Sequence, residues 1–496
     1  MSLYARLKER SGDLKLIGTL LGVIAAFLII LFVDFGADGH AQKLTAATAA
    51  LMAVWWIFEA VPLAVTSLIP LVLFPLLGLL SGKDTADAYI NSTIFLFMGG
   101  FIIALAMERW DLHKRIALNL ISFFGKTPSQ IVLGFMIASA FLSMWISNTA
   151  TAVMILPIGL AIIYKLEEQF GEKSKYFSVA LMLGIAYSCS IGGIGTLIGT
   201  PPNLVFQRVY SINFPQEEAI HFGNWILFAA PLAVLMLLIS WLIINKVFYK
   251  LPADMKIDRA VIREEKAKLG KISYEEKAVL VIFILTALLW IFRQRLDLGF
   301  FSIPGWAEVF SIPAYIDDGT VAVSMGLLLF LIPSGHKESE KDRILNADVI
   351  RKIPWEIILL FGGGFALAEG FVATGLSELI GQQFSSLAGM PTYLLILIIC
   401  LVITFLTELT SNTATAQIIL PILASMSVQL QIDPVLLMVP ATISASMAFM
   451  MPVATPPNAI VFSSERIKVH QMARTGFVLN IIGALLISVY VYFIFG

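Results

Sequence analysis

The sequence contains little charge for its length. Asp, Glu, Lys and Arg make up 14% of its 496 residues, whereas a soluble globular protein carries about 25%. The net charge of −1 excludes the strongly basic surface that a nucleic-acid partner requires. Hydrophobic residues make up 58% of the chain, and the mean hydropathy is +0.87. This composition indicates a protein of the lipid bilayer.

The chain is also poor in residues that form disulfides, metal sites and nucleophilic active sites. Its two cysteines, Cys189 and Cys400, both lie in apolar segments, so no disulfide framework is expected. The five histidines are scattered over polar loops and segment ends without metal-ligand spacing. Since the apolar segments contain no arrangement of nucleophile and base, we do not expect an enzyme.

Apolar runs of ~20 residues, the length that crosses a bilayer, recur along the whole sequence. A basic leader precedes the first run, but no cleavage site follows it, so we predict a retained helix. Two further apolar stretches, 128–165 and 391–430, are predicted to be re-entrant hairpins. The predicted fold is an all-α polytopic membrane protein with about eleven transmembrane helices, at 14–34, 43–60, 62–81, 88–107, 176–210, 223–249, 276–294, 318–334, 353–377, 434–464 and 473–495.

The distribution of Lys and Arg predicts the orientation of these segments. If the N-terminus is cytoplasmic, all but five of the 33 Lys and Arg residues fall on the cytoplasmic side, as the positive-inside rule requires. Counting either hairpin as a single crossing would reverse every later loop and remove this bias. We therefore expect a multi-pass protein of the bacterial inner membrane with a cytoplasmic N-terminus and an outer C-terminus. The first hairpin would lie on the cytoplasmic side and the second would face outward.

The chain contains an internal repeat. An N-terminal segment, 1–42, precedes two halves, 43–249 and 276–496, which the charged cytoplasmic linker 250–275 separates. The halves begin on opposite sides of the membrane, and such an inverted repeat permits alternating access. Three phrases recur in the same order: SNTATAVMILPI at 147–158 and SNTATAQIILPI at 411–422, FMGGF at 97–101 and FGGGF at 361–365, and TPPN at 200–203 and 455–458.

The Ser-Asn-Thr phrases interrupt the hairpins in mid-segment. Because Ser, Asn and Thr cap helices, each phrase predicts a turn between two half-helices, the second of which starts near Ala150 or Ala414. Carbonyl groups that end the first half-helix can bind a cation, and N–H groups that begin the second can bind an anion. The repeated phrase therefore predicts two halves of one binding site.

The Thr-Pro-Pro-Asn phrases predict a second broken helix in each half. The strings Gly192–Gly195 and Met450–Pro452 would interrupt a helix, and Pro in a first turn would start a new one near Pro201 or Pro456, with Thr as its cap. Four half-helix N-termini would then meet in one pocket near the middle of the membrane.

This pocket is expected to be poor in charge, because residues 127–164 and 176–207 contain no Asp, Glu, Lys or Arg. Its Na⁺ ligands would then be neutral oxygens. Ser143 and Thr407 lie one helical turn before the repeated phrases and would add ligands, unless their hydroxyls only bond to helix carbonyls. Glu408 is the one acid within the hairpins, either a proton-coupling group or a polar contact.

The doubled Ser-Asn-Thr phrase and the Pro-Pro-Asn loops resemble the divalent anion/sodium symporter (DASS) family of dicarboxylate, citrate and sulfate carriers, over nearly the whole chain. The resemblance implies an elevator-type transporter with a dimeric scaffold and a moving transport domain. It implies two sodium sites, formed by Ser143, Ser147, Asn148 and Gly199 and by Thr407, Thr410, Asn412 and Ala454. It implies that the substrate carboxylates contact Asn148, Thr149, Thr200, Asn412, Thr413 and Thr455. Thr200 stands where some relatives have Ser, and its methyl group would narrow the pocket.

The leading hypothesis from the sequence is Na⁺-coupled uptake of a C4-dicarboxylate, such as succinate, malate or fumarate, by a homodimer. Two alternatives share the fold: a sodium-independent dicarboxylate exchanger, and a Na⁺-coupled symporter of sulfate or citrate. An anion channel is the alternative from a different class, although an open pore does not need duplicated hairpins.

Overall fold

A computed structural model describes residues 3–36, 39–124, 127–251, 260–297, 301–335 and 343–496. Within these ranges the regular structure is helical, apart from one short hairpin of β1 (Leu296–Asp297) and β2 (Ser302–Ile303). The predicted all-α polytopic class is confirmed. Twelve helices precede the linker: α1 (Leu3–Phe32), α2 (His40–Phe58), α3 (Leu63–Thr66), α4 (Ile69–Leu76), α5 (Gly82–Asp87), α6 (Ser92–Arg109), α7 (Leu112–Phe123), α8 (Pro128–Ser143), α9 (Asn148–Phe170), α10 (Lys175–Ile194), α11 (Pro201–Asn213) and α12 (Phe222–Leu242).

The described part of the remaining chain has a similar order of elements. The 3₁₀ turn Gly171–Ser174 joins α9 to α10, and α12 continues as the π-helix Ile243–Phe248. The later helices are α13 (Ala260–Lys268), α14 (Tyr274–Ile291), α15 (Asp318–Leu331), α16 (Asp348–Lys352), α17 (Trp355–Thr374), α18 (Leu376–Gln382), α19 (Thr392–Leu406), α20 (Asn412–Leu430), α21 (Pro434–Ser444), α22 (Pro456–Phe462) and α23 (Val469–Phe495). Three further 3₁₀ turns are Trp306–Val309, Pro313–Tyr315 and Ser385–Leu387.

Seven helical stretches in the described residues are long and apolar enough to cross a membrane, and five shorter apolar helices accompany them. The predicted span at 62–81 differs from the structure, which has two short helices there, α3 and α4. Pro62 and Pro70 lie at the starts of these helices, where Pro is tolerated. At the break, the Ser67 carbonyl accepts a hydrogen bond from the Tyr89 hydroxyl. A buried break of this kind is tolerated because its backbone groups find partners within the protein.

The two predicted hairpins each consist of two helices joined by a short turn. Residues 128–165 form α8 and most of α9, and residues 391–430 form α19 and α20. In each half, the first hairpin helix packs on the helix that precedes the second break, α8 on α10 and α19 on α21. The domain boundaries, and the side from which each hairpin enters, stay predictions. Residues 252–259 of the predicted linker lie outside the described residues.

The second broken helix of each half begins its new segment at Pro201 and Pro456, as predicted. The first break was expected at Gly192–Gly195, and α10 ends within this string, at Ile194, so that Gly192 itself still lies in the helix. Gly192 serves close packing instead, since a Cβ there would collide with the backbone of Ala140 on α8. In the second half, α21 already ends at Ser444, before the expected break at Met450–Pro452.

The Asn of each Thr-Pro-Pro-Asn phrase ties its break together. Asn203 is fully buried, and its Nδ2 donates to the carbonyls of Gly193 at 3.1 Å and Thr196 at 2.7 Å. Asn458 is also fully buried and donates to Ala448 and Met451, both at 3.0 Å. Carbonyl groups that an unbroken helix would satisfy are thus satisfied by a side chain.

The glycine phrases lie where helices approach each other closely. A Cβ at Gly99 on α6 would collide with Ala322 on α15, and a Cβ at Gly363 on α17 would lie 2.5 Å from the Ser67 carbonyl oxygen. Small residues at helix crossings are typical of membrane proteins. These two contacts join the first half to the second.

Candidate functional site

A cavity of about 710 Å³ lies where the four broken segments meet. Its walls include the N-terminal ends of α9, α11, α20 and α22. The lining residues from these ends are Ser147, Asn148, Thr149, Gly199, Thr200, Pro201, Thr410, Ser411, Asn412, Thr413, Ala454, Thr455, Pro456 and Pro457. The convergence expected from the repeated phrases is therefore present in the structure.

The Ser of each repeated phrase precedes its helix directly. The Ser147 hydroxyl accepts a hydrogen bond from the Ala150 N–H at 3.2 Å, and α9 begins at Asn148. In the second half α20 begins at Asn412. The starts predicted near Ala150 and Ala414 were thus two residues too late. Asn and Thr of each phrase lie in the first helical turn, whose N–H groups have no acceptor within the helix.

The first half contains a group of three oxygens, which we call the first oxygen cluster. It consists of Ser143 Oγ, Asn148 Oδ1 and the Cys189 carbonyl oxygen. Ser143 Oγ contacts Asn148 Oδ1 and lies 2.7 Å from the carbonyl of Cys189. A hydroxyl has one proton, and both neighbours only accept. The hydroxyl proton of Ser143 is therefore the single proton available to the three oxygens of this cluster.

The second half contains the equivalent second oxygen cluster, made of Thr407 Oγ1, Asn412 Oδ1 and the Ala445 carbonyl oxygen. Thr407 Oγ1 lies 2.7 Å from Asn412 Oδ1 and 2.8 Å from the carbonyl of Ala445. Thr407, like Ser143, is fully buried. Clusters of neutral oxygens that lack protons fit a hard cation such as Na⁺, which coordinates oxygen ligands and needs none of them to donate.

Glycines make room for the amide of the first cluster. A Cβ at Gly193 would lie 2.9 Å from Asn148 Oδ1 and 3.0 Å from the Gly199 carbonyl oxygen. A Cβ at Gly199 would collide with the Gly193 carbonyl in turn. The Gly199 carbonyl, a predicted sodium ligand, and the Asn148 amide therefore both pack against Gly193.

The predicted site residues fall into two layers. Ser143 and Thr407 lie behind the cavity wall, where they contact the Asn of the phrase that follows them. The predicted residues that line the cavity itself are Ser147, Asn148, Thr149, Gly199, Thr200, Thr410, Asn412, Thr413, Ala454 and Thr455. Their roles as ligands of sodium or substrate stay predictions.

The two Thr residues before the Pro-Pro pairs differ. The Thr455 hydroxyl caps α22 by accepting from the Asn458 N–H at 3.4 Å, as predicted. The Thr200 side chain makes no capping hydrogen bond, so the prediction of a Thr cap was wrong for α11. Since Thr200 lines the cavity, its hydroxyl is free to contact a bound anion.

The cavity wall is less poor in charge than expected. Lys15 and Glu59, both exposed, and Glu408, which is 4% exposed, are among the lining residues. Lys15 and Glu59 belong to the first two helices, which the sequence prediction did not place near the site. The Glu408 carboxylate accepts four hydrogen bonds from the protein, which hold it at the cavity wall.

Sequence reasoning missed the carbonyl groups of Cys189 and Ala445. They come from the ends of α10 and α21 and complete the two oxygen clusters. Every residue has a backbone carbonyl, so no residue type marks one as a ligand. The available signal is positional, because each stands shortly before a predicted break.

Comparison with known proteins shows which family the chain belongs to. Residues 14–495 match the family model described as "Sodium:sulfate symporter transmembrane region". The chain is 42% identical over 490 residues to the sodium-dependent dicarboxylate transporter SdcS of Staphylococcus saprophyticus, a match that covers 97% of this chain and 91% of that protein. The SdcS protein of Staphylococcus aureus strain MRSA252 is also 42% identical, over 494 residues and with the same coverage.

A solved structure is similar in fold. The crystal structure of the Alcanivorax borkumensis YdaH transporter aligns with a TM-score of 0.57 and 14% identity, covering 92% of this chain and 98% of that one. The family predicted from the doubled phrase is confirmed, as is the prediction of a membrane transport protein in place of an enzyme. With its family model matched from residue 14 to residue 495, the chain belongs to the sodium:sulfate symporter family.

Proposed function

We propose that this protein is a Na⁺-coupled carrier of a C4-dicarboxylate such as succinate, malate or fumarate. The observation that carries the proposal is the pair of oxygen clusters behind one cavity that four helix N-termini surround. The relatives named above support both the cation and the substrate class, since each is named a sodium-dependent dicarboxylate transporter.

Each half of the site would bind one Na⁺ and contribute helix N-termini to the binding of the substrate. One Na⁺ would bind at each oxygen cluster, with Ser147 and Gly199 adding ligands in the first half and Thr410 and Ala454 in the second. The two carboxylates would bind at the helix N-termini, where free N–H groups and the helix dipole favour an anion. Asn148 and Asn412 belong to both groups, so cation binding would orient the amides that contact the substrate.

The lining of the cavity includes Lys15, Glu59 and Ile357, which lie at ends of predicted spans on the side of the basic residues. We propose that the N-terminus is cytoplasmic, that the C-terminus is outside and that this structure is open to the cytoplasm. In right-side-out vesicles, Glu59→Cys should then react with a permeant maleimide and resist an impermeant one. Equal reaction with both would reverse the orientation.

We further propose that the protein works as a homodimer in which one part of each subunit moves against the other. The inverted repeat supports this, because exchanging the conformations of two related halves opens the site to each side in turn. The mass of the purified protein in detergent, measured by light scattering, tests the subunit number. A monomeric mass with full transport after reconstitution would contradict the dimer.

Uptake of labelled succinate into sealed proteoliposomes tests the function. We expect uptake only with an inward Na⁺ gradient, and competition by malate and fumarate. Equal uptake without Na⁺, driven by internal dicarboxylate, would identify a sodium-independent exchanger. Competition by sulfate or citrate alone would identify another substrate, and ion current without coupling would identify a channel.

A further inference from the structure

Glu408 holds the second broken helix through an unusual number of hydrogen bonds. Its Oε1 accepts from the N–H groups of Phe449 at 2.6 Å and Met450 at 2.8 Å, and from Asn480 Nδ2 at 2.8 Å. Its Oε2 accepts from the Met451 N–H at 3.0 Å. One carboxylate thus joins the end of α19, the break after α21 and the final helix α23.

The first half makes the corresponding connection in the opposite sense. Met144 occupies the repeat position of Glu408, and its carbonyl accepts a hydrogen bond from the Thr196 hydroxyl at 2.5 Å. In the first half, a side chain of the helix break bonds to the backbone of the hairpin turn. In the second half, a side chain of the hairpin turn bonds to the backbone of the break. A hydrogen bond between turn and break is therefore present in both halves.

All four neighbours of the Glu408 carboxylate are N–H donors, and both of its oxygens act as acceptors. Three of these donors are the consecutive backbone N–H groups of Phe449, Met450 and Met451, so one side chain holds three residues of the break in place.

Glu408 also follows Thr407 directly in the chain. Thr407 contacts the carbonyl of Ala445. Glu408 contacts the N–H groups of residues 449–451, which follow Ala445 in the chain. Ala454, whose carbonyl is a proposed sodium ligand, lies just beyond Met451. Two adjacent side chains therefore hold the segment that supplies the backbone ligands, one at Ala445 and the other at residues 449–451.

We propose that Glu408 is a positioning residue for sodium binding in the second half: its side chain fixes residues 449–451 so that the carbonyls of Ala445 and Ala454 face the cation. It acts by holding this backbone and does not touch the substrate. This inference rests on the proposed function of the second oxygen cluster as a sodium site.

The test compares Glu408→Gln with the wild type in the proteoliposome assay at varied Na⁺ and succinate. Gln keeps the shape but places an NH₂ group where one acceptor is needed. We expect the half-saturating Na⁺ concentration to rise about tenfold, which corresponds to ~1.4 kcal/mol, and the Na⁺ dependence to become less cooperative. At saturating Na⁺ the KM for succinate should stay within about twofold, a change of ~0.4 kcal/mol. Glu356→Gln, the same change at an exposed position on α17, should match the wild type.

A second measurement keeps the test independent of transport. Na⁺ raises the unfolding temperature of a protein that binds it, and Glu408→Gln should shift this response to about tenfold higher Na⁺. If Glu408→Gln does not fold, Asn480→Ala, which removes one of the four donors, should show a smaller shift in the same direction.

Three results would overturn the inference. A Glu408→Gln protein with wild-type Na⁺ dependence would show that the carboxylate does not position the site. A wild-type pH dependence of uptake that disappears in Glu408→Gln would make it a proton carrier. A changed KM for succinate at unchanged Na⁺ dependence would make it a substrate contact. If the wild type takes up succinate without Na⁺ and shows no stabilisation by Na⁺, the proposed function itself fails.

Discussion

Single hydroxyl and amide groups determine the chemistry of this site. In each oxygen cluster one Ser or Thr hydroxyl stands between an Asn amide oxygen and a backbone carbonyl. Both neighbours of that hydroxyl are acceptors, so the cluster is incompletely satisfied without a cation. The same cluster would be a poor site for an anion, which the helix N-termini on the cavity wall favour instead.

Removing the hydroxyl of Thr407 tests the second cluster. Thr407→Val keeps the side-chain shape and leaves the Ala445 carbonyl without its partner, at a cost of about 1–3 kcal/mol. We expect the half-saturating Na⁺ concentration for uptake to rise roughly tenfold or more. Thr442→Val on α21 is the matched control, because that buried hydroxyl bonds only to Met438 of its own helix. Equal effects from both variants would remove the special role of Thr407.

Removing either amide tests whether the site has two halves. We predict that Asn148→Ala and Asn412→Ala each reduce uptake to background, because each removes a cation ligand and the group that the cation orients toward the substrate. Both proteins should still elute as folded particles. Asn213→Ala, which removes an amide bonded to Val209 at the end of α11, should transport normally. Wild-type uptake by either site variant would contradict a site shared between the halves.

At the scale of the elements, the predicted starts and breaks of the helices can be compared with those of the structure. The starts at Pro201 and Pro456 were predicted correctly, because Pro at the start of a helix needs no N–H partner. The end of α10 at Ile194 falls within the predicted string Gly192–Gly195, although Gly192 itself remains helical and allows α8 to approach α10. Gly in a helix costs about 1 kcal/mol, and the packing of two buried helices outweighs this cost, so that α10 continues through Gly192. The second break was predicted less well, since α21 already ends at Ser444.

The close approach at Gly193 gives a prediction for the broken helix. A methyl group there would lie 2.9 Å from Asn148 Oδ1, and overpacking of this kind costs roughly 1–3 kcal/mol. We expect Gly193→Ala to raise the half-saturating Na⁺ concentration about tenfold without loss of expression. Gly82→Ala is the control, because the nearest atom to its added methyl is 3.9 Å away. A normal Na⁺ dependence in Gly193→Ala would show that the amide can move freely.

At the scale of the whole molecule, a buried ion pair of the second half also bonds to the backbone of the first half, away from the cavity. Arg293 and Asp318 are 5% and 4% exposed, and Arg293 Nε lies 2.5 Å from Asp318 Oδ1. Asp318 also accepts from the backbone N–H of Phe222 at 2.9 Å, while its carbonyl accepts from Trp290. Helices α12, α14 and α15 are therefore fastened together at one end.

Breaking this pair should lower the stability of the protein. Asp318→Asn leaves the buried Arg293 charge without a counter-ion, and such changes cost about 3–5 kcal/mol. We expect a lower unfolding temperature in detergent, with an unchanged Na⁺ dependence of uptake in the protein that remains folded. Asp348→Asn should change stability by less than about 1 kcal/mol, since its contact with Arg351 is 4.0 Å long and exposed. Equal stability of the two variants would mean that the Arg293 charge reaches water.

The sequence by itself determined that this protein lies in a membrane, that its two halves repeat, and which polar phrases line the cavity. These properties follow from composition and periodicity, which are local. Only the tertiary structure decided which carbonyls complete the oxygen clusters and what Glu408 binds, because those partners lie 38 to 72 residues away in the chain. A backbone carbonyl or N–H is the same group in nearly every residue. Packing alone selects the few that reach the site.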